Sequence, residues 1–398
     1  MNLTIQPGKL SGHLHAIPSK SHAHRALICA AFADRPTELI CPETNRDISA
    51  TADCLNALGA CIQRTDCGYV VTPIQTLPQS AELHCGESGS TLRFLLPIAG
   101  ALGVDTVFYM EGRLPERPLS PLWEEMTRMG CSLSRPSANT VRCQGKLRPG
   151  TYRIIGNISS QFITGLLLSL ILLNGNSSID ISGKLESKPY VDLTIDTMAQ
   201  FGVSASPELI PGGKCFISPG TLTIEGDWSN AAFFLAAAAM GNSITLEGLS
   251  QSSSQGDRAV QSILPALKKN ITVSAADIPD LIPILSVVAA AHQGAVFTNV
   301  GRLRLKESDR VDSVVNMLRQ LGGEAHATDD CLTVLGTGLS GGTVDSCNDH
   351  RIAMSAAIAA TVCRKPVNLL GAECTKKSYP LFWEEYRRLG GNYEQYIR

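Results

Sequence analysis

The sequence predicts an α/β protein of two similar domains, each made of three copies of one unit built around a buried helix. Three observations predict it. Six times along the 398 residues a long apolar run of small residues is introduced by polar or charged side chains, and each run is followed by a short extended segment. A helix apolar on every side belongs inside a core. The amphipathic stretches that come next tend to close on an apolar residue plus Gly, the residue suited to the left-handed position that ends a helix. Finally, 398 residues exceed what one core organises, and six units divide evenly into two domains of three.

Taken in order, the first run is HAHRALICAAFA, from His22 to Ala33, and TELICP is the extended segment after it. STLRFLLPIAGAL, from Ser90, leads to FYMEG, and SSQFITGLLLSLILL, from Ser159, leads to SSIDISG. SNAAFFLAAAAM, from Ser229, leads to NSITLEG. DLIPILSVVAAAH, from Asp280, leads to AVFTNVG, and NDHRIAMSAAIAAT, from Asn348, leads to KPVNLLG. The closing pairs are Leu58-Gly59, Met129-Gly130, Phe201-Gly202, Leu321-Gly322 and Leu389-Gly390, while the shorter fourth unit ends near Asn270. This spacing is too long for a solenoid repeat. The chain changes unit near Pro18 and near Gly226, so the expected domains are 19–225 and 1–18 plus 226–398. Two strands crossing at those places would form a hinge that lets a cleft close on ligands.

Composition removes several function classes. A formal net charge of −2 leaves no basic excess to hold nucleic acid or an anionic membrane surface, so any anion binding is local. Thirteen cysteines without a Cys-x-x-Cys pair describe reduced intracellular thiols, with neither a disulfide framework nor a zinc site. The start MNLTIQPGKL lacks a secretory pattern, and no apolar run approaches transmembrane length. A soluble cytoplasmic protein is expected.

The chemistry gathers at the starts of the buried helices, where free backbone N–H groups and a positive dipole end suit an anion. Ser, Asn and Asp there are also the preferred caps, which is the simpler reading of any single unit. Arg25, Arg93 and Arg351 in first turns argue against capping alone, because the dipole disfavours a cation unless an anion compensates it. In PSKSHAHRA, Lys20 supplies a point charge, Ser21 a hydroxyl and Arg25 a planar fork suited to carboxylate. CGESGSTLRF opens the second run with a turn in which Gly89 lets backbone amides approach an oxyanion. Arg113 and Arg117 follow in a loop stiffened by two prolines. Ser159, Ser160 and Gln161 offer neutral donors for a phosphate, which Ser187, Lys188 and Tyr190 could complete. In the second half, Asp280 stands at the mouth of a buried helix, where it could cap or accept a proton. LKESDR brings Lys306, Glu307 and Arg310 together, and a run of this kind also fits a solvated helix face. NDHR contributes Arg351 and KKSYP contributes Lys377, again at unit starts.

PSKSHAHRA, CGESGSTLRF, ERPLSPL, SSQF, SKPYVDLT, DIPD, LKESDR, NDHRIAM and KKSYP, in this order, resemble the 5-enolpyruvylshikimate-3-phosphate synthase family along nearly the whole chain. The resemblance implies two domains of three βαβαββ units, an inside-out α/β barrel. It implies transfer of the enolpyruvyl group of phosphoenolpyruvate to the 5-hydroxyl of shikimate 3-phosphate, without metal or organic cofactor, by a monomer with no macromolecular partner. Carried over by position, Lys20, Gly89, Arg117, Arg310, Arg351 and Lys377 fall around phosphoenolpyruvate. Ser21, Arg25, Ser159, Ser160, Ser187, Tyr190 and Lys306 fall around shikimate 3-phosphate, with Gln161 between the substrates. Asp280 and Glu307 match the carboxylates of proton transfer: Glu307 the donor, Asp280 helped by Lys20 the acceptor. By this scheme 19–225 mainly binds shikimate 3-phosphate, and 1–18 plus 226–398 completes the phosphoenolpyruvate site and brings the carboxylates.

Two positions depart from the family pattern: Glu87 stands where Asn is frequent, and Arg302 where some members carry a substrate-contacting Asn. Gly89 is retained, and a side chain there would intrude on the phosphoenolpyruvate pocket, so sensitivity to the family inhibitor glyphosate is expected. The related transferase acting on UDP-N-acetylglucosamine uses a loop cysteine, whereas the matching loop here, Glu111 to Pro118, has Arg and no Cys. A silent phosphometabolite-binding protein of the same fold would have lost its acid or base, yet Lys20, Asp280 and Glu307 are all present.

Overall fold

The computed structural model describes residues 1–396. Each apolar run forms a helix: Lys20–Ala31, Gly89–Leu102, Ser160–Leu170, Trp228–Ala239, Ile282–Ala291 and His350–Ala359, the first to sixth core helices. Ser19, Ser88, Ser159, Asp227 and Asp349 cap five of them, each side-chain oxygen accepting from a backbone N–H of the first turn. The fifth differs. Leu281 holds its cap position without a side-chain bond, so Asp280 is not spent on capping, and Pro283 in the first turn brings no N–H that needs a partner.

All six expected extended segments are strands: Thr37–Ile40, Asp105–Met110, Ser178–Ser182, Ser243–Glu247, Ala295–Thr298 and Val367–Leu370. The closing glycines Gly59, Gly130, Gly202, Gly322 and Gly390 all have φ between 73° and 117°, the left-handed region that a Cβ would strain.

The chain divides into two units, Pro18–Glu225 and Met1–Ile17 with Gly226–Arg398, each with its own hydrophobic core. Where the chain leaves one for the other, each unit ties off its own ends. Ser19 N–H donates to the Glu225 carbonyl at 2.7 Å in the first, and Asp227 N–H donates to the Ile17 carbonyl at 2.8 Å in the second.

Four of the six repeats carry a full mixed sheet of four strands, in which a parallel pair adjoins two antiparallel ones. In the second repeat, for instance, Ser80–Gly86 runs parallel to Asp105–Met110, which pairs antiparallel with Thr140–Gly145, itself paired with Cys131–Ser134. The third and fourth repeats are reduced to parallel pairs, Thr151–Ile155 with Ser178–Ser182 and Ser11–His15 with Ser243–Glu247. The reason lies in the sequence. Pro207, Pro211, Gly212, Gly213 and Pro219 break the segment after the third repeat's helix into isolated bridges, and GLSQSSSQGD after Glu247 is too polar and glycine-rich to pair.

Small residues let the core helices approach closely. A Cβ on Gly165 of the third would lie 2.2 Å from the Arg93 carbonyl oxygen of the second, so only glycine permits that contact.

Candidate active site

Each unit carries its own polar cluster at the starts of its core helices. In Pro18–Glu225, Lys20 opens the first helix and pairs with Asp47 at 3.0 Å, both largely shielded from water. Asp47 belongs to the helix Arg46–Ala57, and its carbonyl receives the Thr91 hydroxyl at 3.4 Å. Arg25 is 2 % exposed. Its guanidinium donates to the carbonyls of Ser21 and Tyr190 at 2.6 and 2.9 Å and to the Thr194 and Thr164 hydroxyls at 2.8 and 3.3 Å. Its charge also lies over the Phe94 ring. Burial lowers its pKa to about 10, leaving it charged. These acceptors are neutral, and through them Arg25 braces Ser21 against Tyr190.

A second group surrounds Gln161, whose side-chain carbonyl accepts from Arg93 at 2.7 Å and whose amide donates to the Ser90 hydroxyl at 3.0 Å. Arg93 also donates to the Pro118 carbonyl at 3.0 Å, tying the arginine loop to the second core helix. Gly89 sits beneath Arg117: a Cβ there would lie 2.8 Å from one terminal nitrogen of Arg117 and 3.1 Å from one of Arg93. Ser159 uses its hydroxyl to cap the third core helix, bonding Gln161 N–H at 3.3 Å, while Ser160 is buried in the first turn. Ser187 adopts a left-handed conformation, φ 55°, ahead of the helix Lys188–Gln200, and its carbonyl accepts from Tyr190 N–H at 3.0 Å. Glu87 packs on the loop backbone, where a Cβ on Gly112 would meet its carboxyl carbon at 2.7 Å.

The other unit gathers charges more densely. Arg310 is 1 % exposed and donates to Asp280 at 2.8 Å, Glu307 at 2.7 Å and Asp349 at 2.9 Å. Arg351 reaches the second oxygen of Asp280 at 3.1 Å; Lys306 approaches the first at 3.9 Å, and Lys377 lies 3.8 Å from Glu307. The charge run at 305–310 is therefore not a solvated face: Asp309 caps the helix Arg310–Gln320 and Arg310 turns inward. Burial works against the charge of Arg310, yet Asp349, Glu307 and Asp280 together raise its pKa. Burial would raise Asp280 too, but Arg351, Lys306 and Arg310 outweigh it and hold this carboxyl well below the usual range. Lys306 is lowered to about 8 by burial, with Arg310 and Arg302 adding to the shift and Asp280 opposing it.

Asp47 and Asp349 complete these clusters without having been singled out from the sequence, and Arg93, marked there only by its charge in a first turn, holds Gln161. Asp349 is fully buried, caps the sixth core helix and accepts from Ser308 and Arg310. In the sequence its place inside NDHR, at a helix start, reads as an ordinary cap. Asp47 in the first turn of an amphipathic helix looks like any dipole-compensating acid.

Four cations and three carboxylates in one part-buried cluster can bind a compact polyanion and move protons beside it. The architecture that carries this cluster is that of enolpyruvyl transferases. An EPSP synthase from Acinetobacter baumannii matches with a TM-score of 0.82 at 23 % identity, covering 99 % of this chain and 100 % of that one. The enolpyruvyl transferase NikO from Streptomyces tendae matches with a TM-score of 0.78 at 17 % identity, covering 99 % and 98 %. The family model for EPSP synthase (3-phosphoshikimate 1-carboxyvinyltransferase) matches residues 5–386. The chain is 38 % identical to the 3-phosphoshikimate 1-carboxyvinyltransferase of Clostridium kluyveri, over 99 % of this chain and 98 % of that protein. Identity to the protein of the same name from Clostridium acetobutylicum is 39 %, over 98 % of each. The chain belongs to the EPSP synthase family.

Proposed function

We propose that this chain transfers the 1-carboxyvinyl group of phosphoenolpyruvate to the 5-hydroxyl of shikimate 3-phosphate, releasing phosphate, as a monomeric cytoplasmic enzyme. The observation that carries the reading is the Asp280–Arg310–Glu307 arrangement within a chain of this family: two carboxylates held by one buried arginine, ringed by Lys306, Arg351 and Lys377. In the addition step the 5-hydroxyl oxygen bonds to C2 of phosphoenolpyruvate and its proton passes to Asp280, helped by Lys20, while Glu307 delivers a proton to the methylene carbon C3. In the elimination C3 returns a proton to Glu307, the C2–O bond to phosphate breaks, the enol ether double bond forms, and the departing phosphate takes up the proton held by Asp280. Two phosphates and two carboxylates enter with the ligands, and their mutual repulsion must be offset by fixed cations.

On this reading Lys20, Gly89, Arg117, Arg310, Arg351 and Lys377 serve phosphoenolpyruvate. Ser21, Arg25, Ser159, Ser160, Ser187, Tyr190 and Lys306 serve shikimate 3-phosphate, and Gln161, fixed by Arg93, serves both. The test is phosphate release from purified protein given phosphoenolpyruvate and a single acceptor. Release with shikimate 3-phosphate and none with UDP-N-acetylglucosamine is expected. Release with the second acceptor alone would overturn the substrate, and silence with both would leave a binding protein.

A further inference from the structure

Among the buried carboxyls the mechanism above does not use, Asp257 has an oxygen without a hydrogen-bond partner among the described residues. Asp257 lies in the short 3-10 turn Gly256–Ala259 beside the fourth core helix and is 1 % exposed. One of its oxygens accepts the Ser229 hydroxyl, and the other, Oδ1, has no hydrogen-bond partner among the described residues. The Ser229 carbonyl accepts from one terminal nitrogen of Arg351 at 3.3 Å, and the other terminal nitrogen of Arg351 donates to Asp280 at 3.1 Å. A path of one serine and one guanidinium therefore links Asp257 to Asp280. Helix capping does not account for the carboxyl, because Asp227 already caps that helix through Asn230 N–H at 2.7 Å. A buried carboxylate with an unsatisfied oxygen costs stability.

We infer that Asp257 is a positioning residue for Asp280, setting through Ser229 and Arg351 how readily Asp280 takes the proton of the acceptor hydroxyl. The inference rests on Asp280 being that proton acceptor. Held by Arg351, Lys306 and Arg310, Asp280 is a poor base. A negative Asp257 behind Arg351 draws part of the guanidinium's field onto itself and restores proton affinity to Asp280, whereas a neutral Asp257 leaves that field wholly on Asp280. The charged groups bearing on Asp257 are Asp280, Arg351 and Asp227; those bearing on Asp280 are Arg351, Lys306, Arg310 and Glu307. Burial first, and then the charge of Asp280, push Asp257 up to about 7, so it ionises across the neutral range.

The test compares wild type, Asp257→Asn, Ser229→Ala and Asp280→Asn by kcat against pH, by KM and by thermal midpoint. In the wild type kcat is expected to rise with pH through about 7. Asp257→Asn should lose that rise and lower kcat by roughly 10- to 100-fold, part of what a general base supplies, with KM for both substrates nearly unchanged and no loss of thermal midpoint. Ser229→Ala keeps the carboxyl but removes the hydrogen bond that favours its ionised form, so the same rise should move to higher pH. This second variant tests the link even where Asp257→Asn folds poorly. If Asp280→Asn retains turnover, the acceptor assignment itself falls. If Asp280→Asn is inactive while Asp257→Asn and Ser229→Ala keep the wild-type kcat and pH profile, the role of Asp257 alone is overturned.

Discussion

Arg310 contacts three carboxylates at once, and each contact does a different job. Asp349 anchors it from behind, Asp280 shares it with Arg351, and Glu307 shares it with Lys377. Glu307→Gln keeps the shape and hydrogen-bonding reach of the side chain while removing its transferable proton. It should leave binding of shikimate 3-phosphate within a few-fold and cut kcat by roughly 100-fold or more, read from titration and steady-state kinetics side by side. At Gly89 the issue is space. With a Cβ 2.8 Å from the nearest Arg117 nitrogen, Gly89→Ala must push that fork aside. KM for phosphoenolpyruvate and the glyphosate concentration that halves activity should rise together, with KM for shikimate 3-phosphate unmoved; a wild-type glyphosate response would refute the contact. At this scale Arg351 stands out in the sequence because a cation sits oddly in a first turn, and Asp280 because the family resemblance marks it. Asp257 and Asp349 were not legible, because Gly-Asp in a turn and Asp at a helix start each have an ordinary local explanation that hides a tertiary one.

The core helices turn backbone position into side-chain position. Gln161 stands one turn before Gly165 on the third core helix, and Gly165 rides directly against the carbonyl of Arg93, the residue that holds Gln161 by its side chain. Gly165→Ala would force those two helices apart. A loss of about 1–3 kcal/mol in urea unfolding is expected, together with weakened binding of both substrates, since Gln161 and Arg93 shift with their helices. The core helices and the strand after each were legible because an all-apolar run or a β-branched stretch carries its own signal, whereas the parallel partner strands, such as Ser80–Gly86 and Thr151–Ile155, were not read. The loss of the antiparallel strands in the third and fourth repeats was not read, because a family-wide unit invites six equal copies. The prolines after Met198 and the serines after Leu249 were nonetheless in plain view.

On the scale of the whole molecule, two histidines kept neutral by burial carry a cost in acid. In Pro18–Glu225, burial lowers His22 to about 4 and His24 to about 3. His22 is neutral, with Nδ1 accepting from Glu225 N–H at 3.3 Å, and Nδ1 of His24 meets the Thr51 hydroxyl at 2.7 Å. Both values lie below the unfolded 6.5, so the stability these histidines lend is complete above that pH and is lost as pH falls through about 4 and about 3. By pH 4 each should have withdrawn roughly 2–3 kcal/mol, and urea midpoints measured from pH 7 down to 4 should fall accordingly, less steeply in His22→Gln. The repeats change near Pro18 and near Gly226, and the first strands fall in the unit that holds the last three repeats. The separate closure of each unit was not legible in the sequence, because it rests on single backbone bonds at Ser19 and Asp227. The pairing of Asn2–Ile5 with Val367–Leu370 and Tyr393–Tyr396 also sets a timetable. At about 5–20 residues per second on the ribosome, that strand waits roughly 20–70 s for its first partner. Pro18–Glu225 is synthesised whole within that interval, so Asn2–Ile5 finds its place only after the whole of that unit has been made.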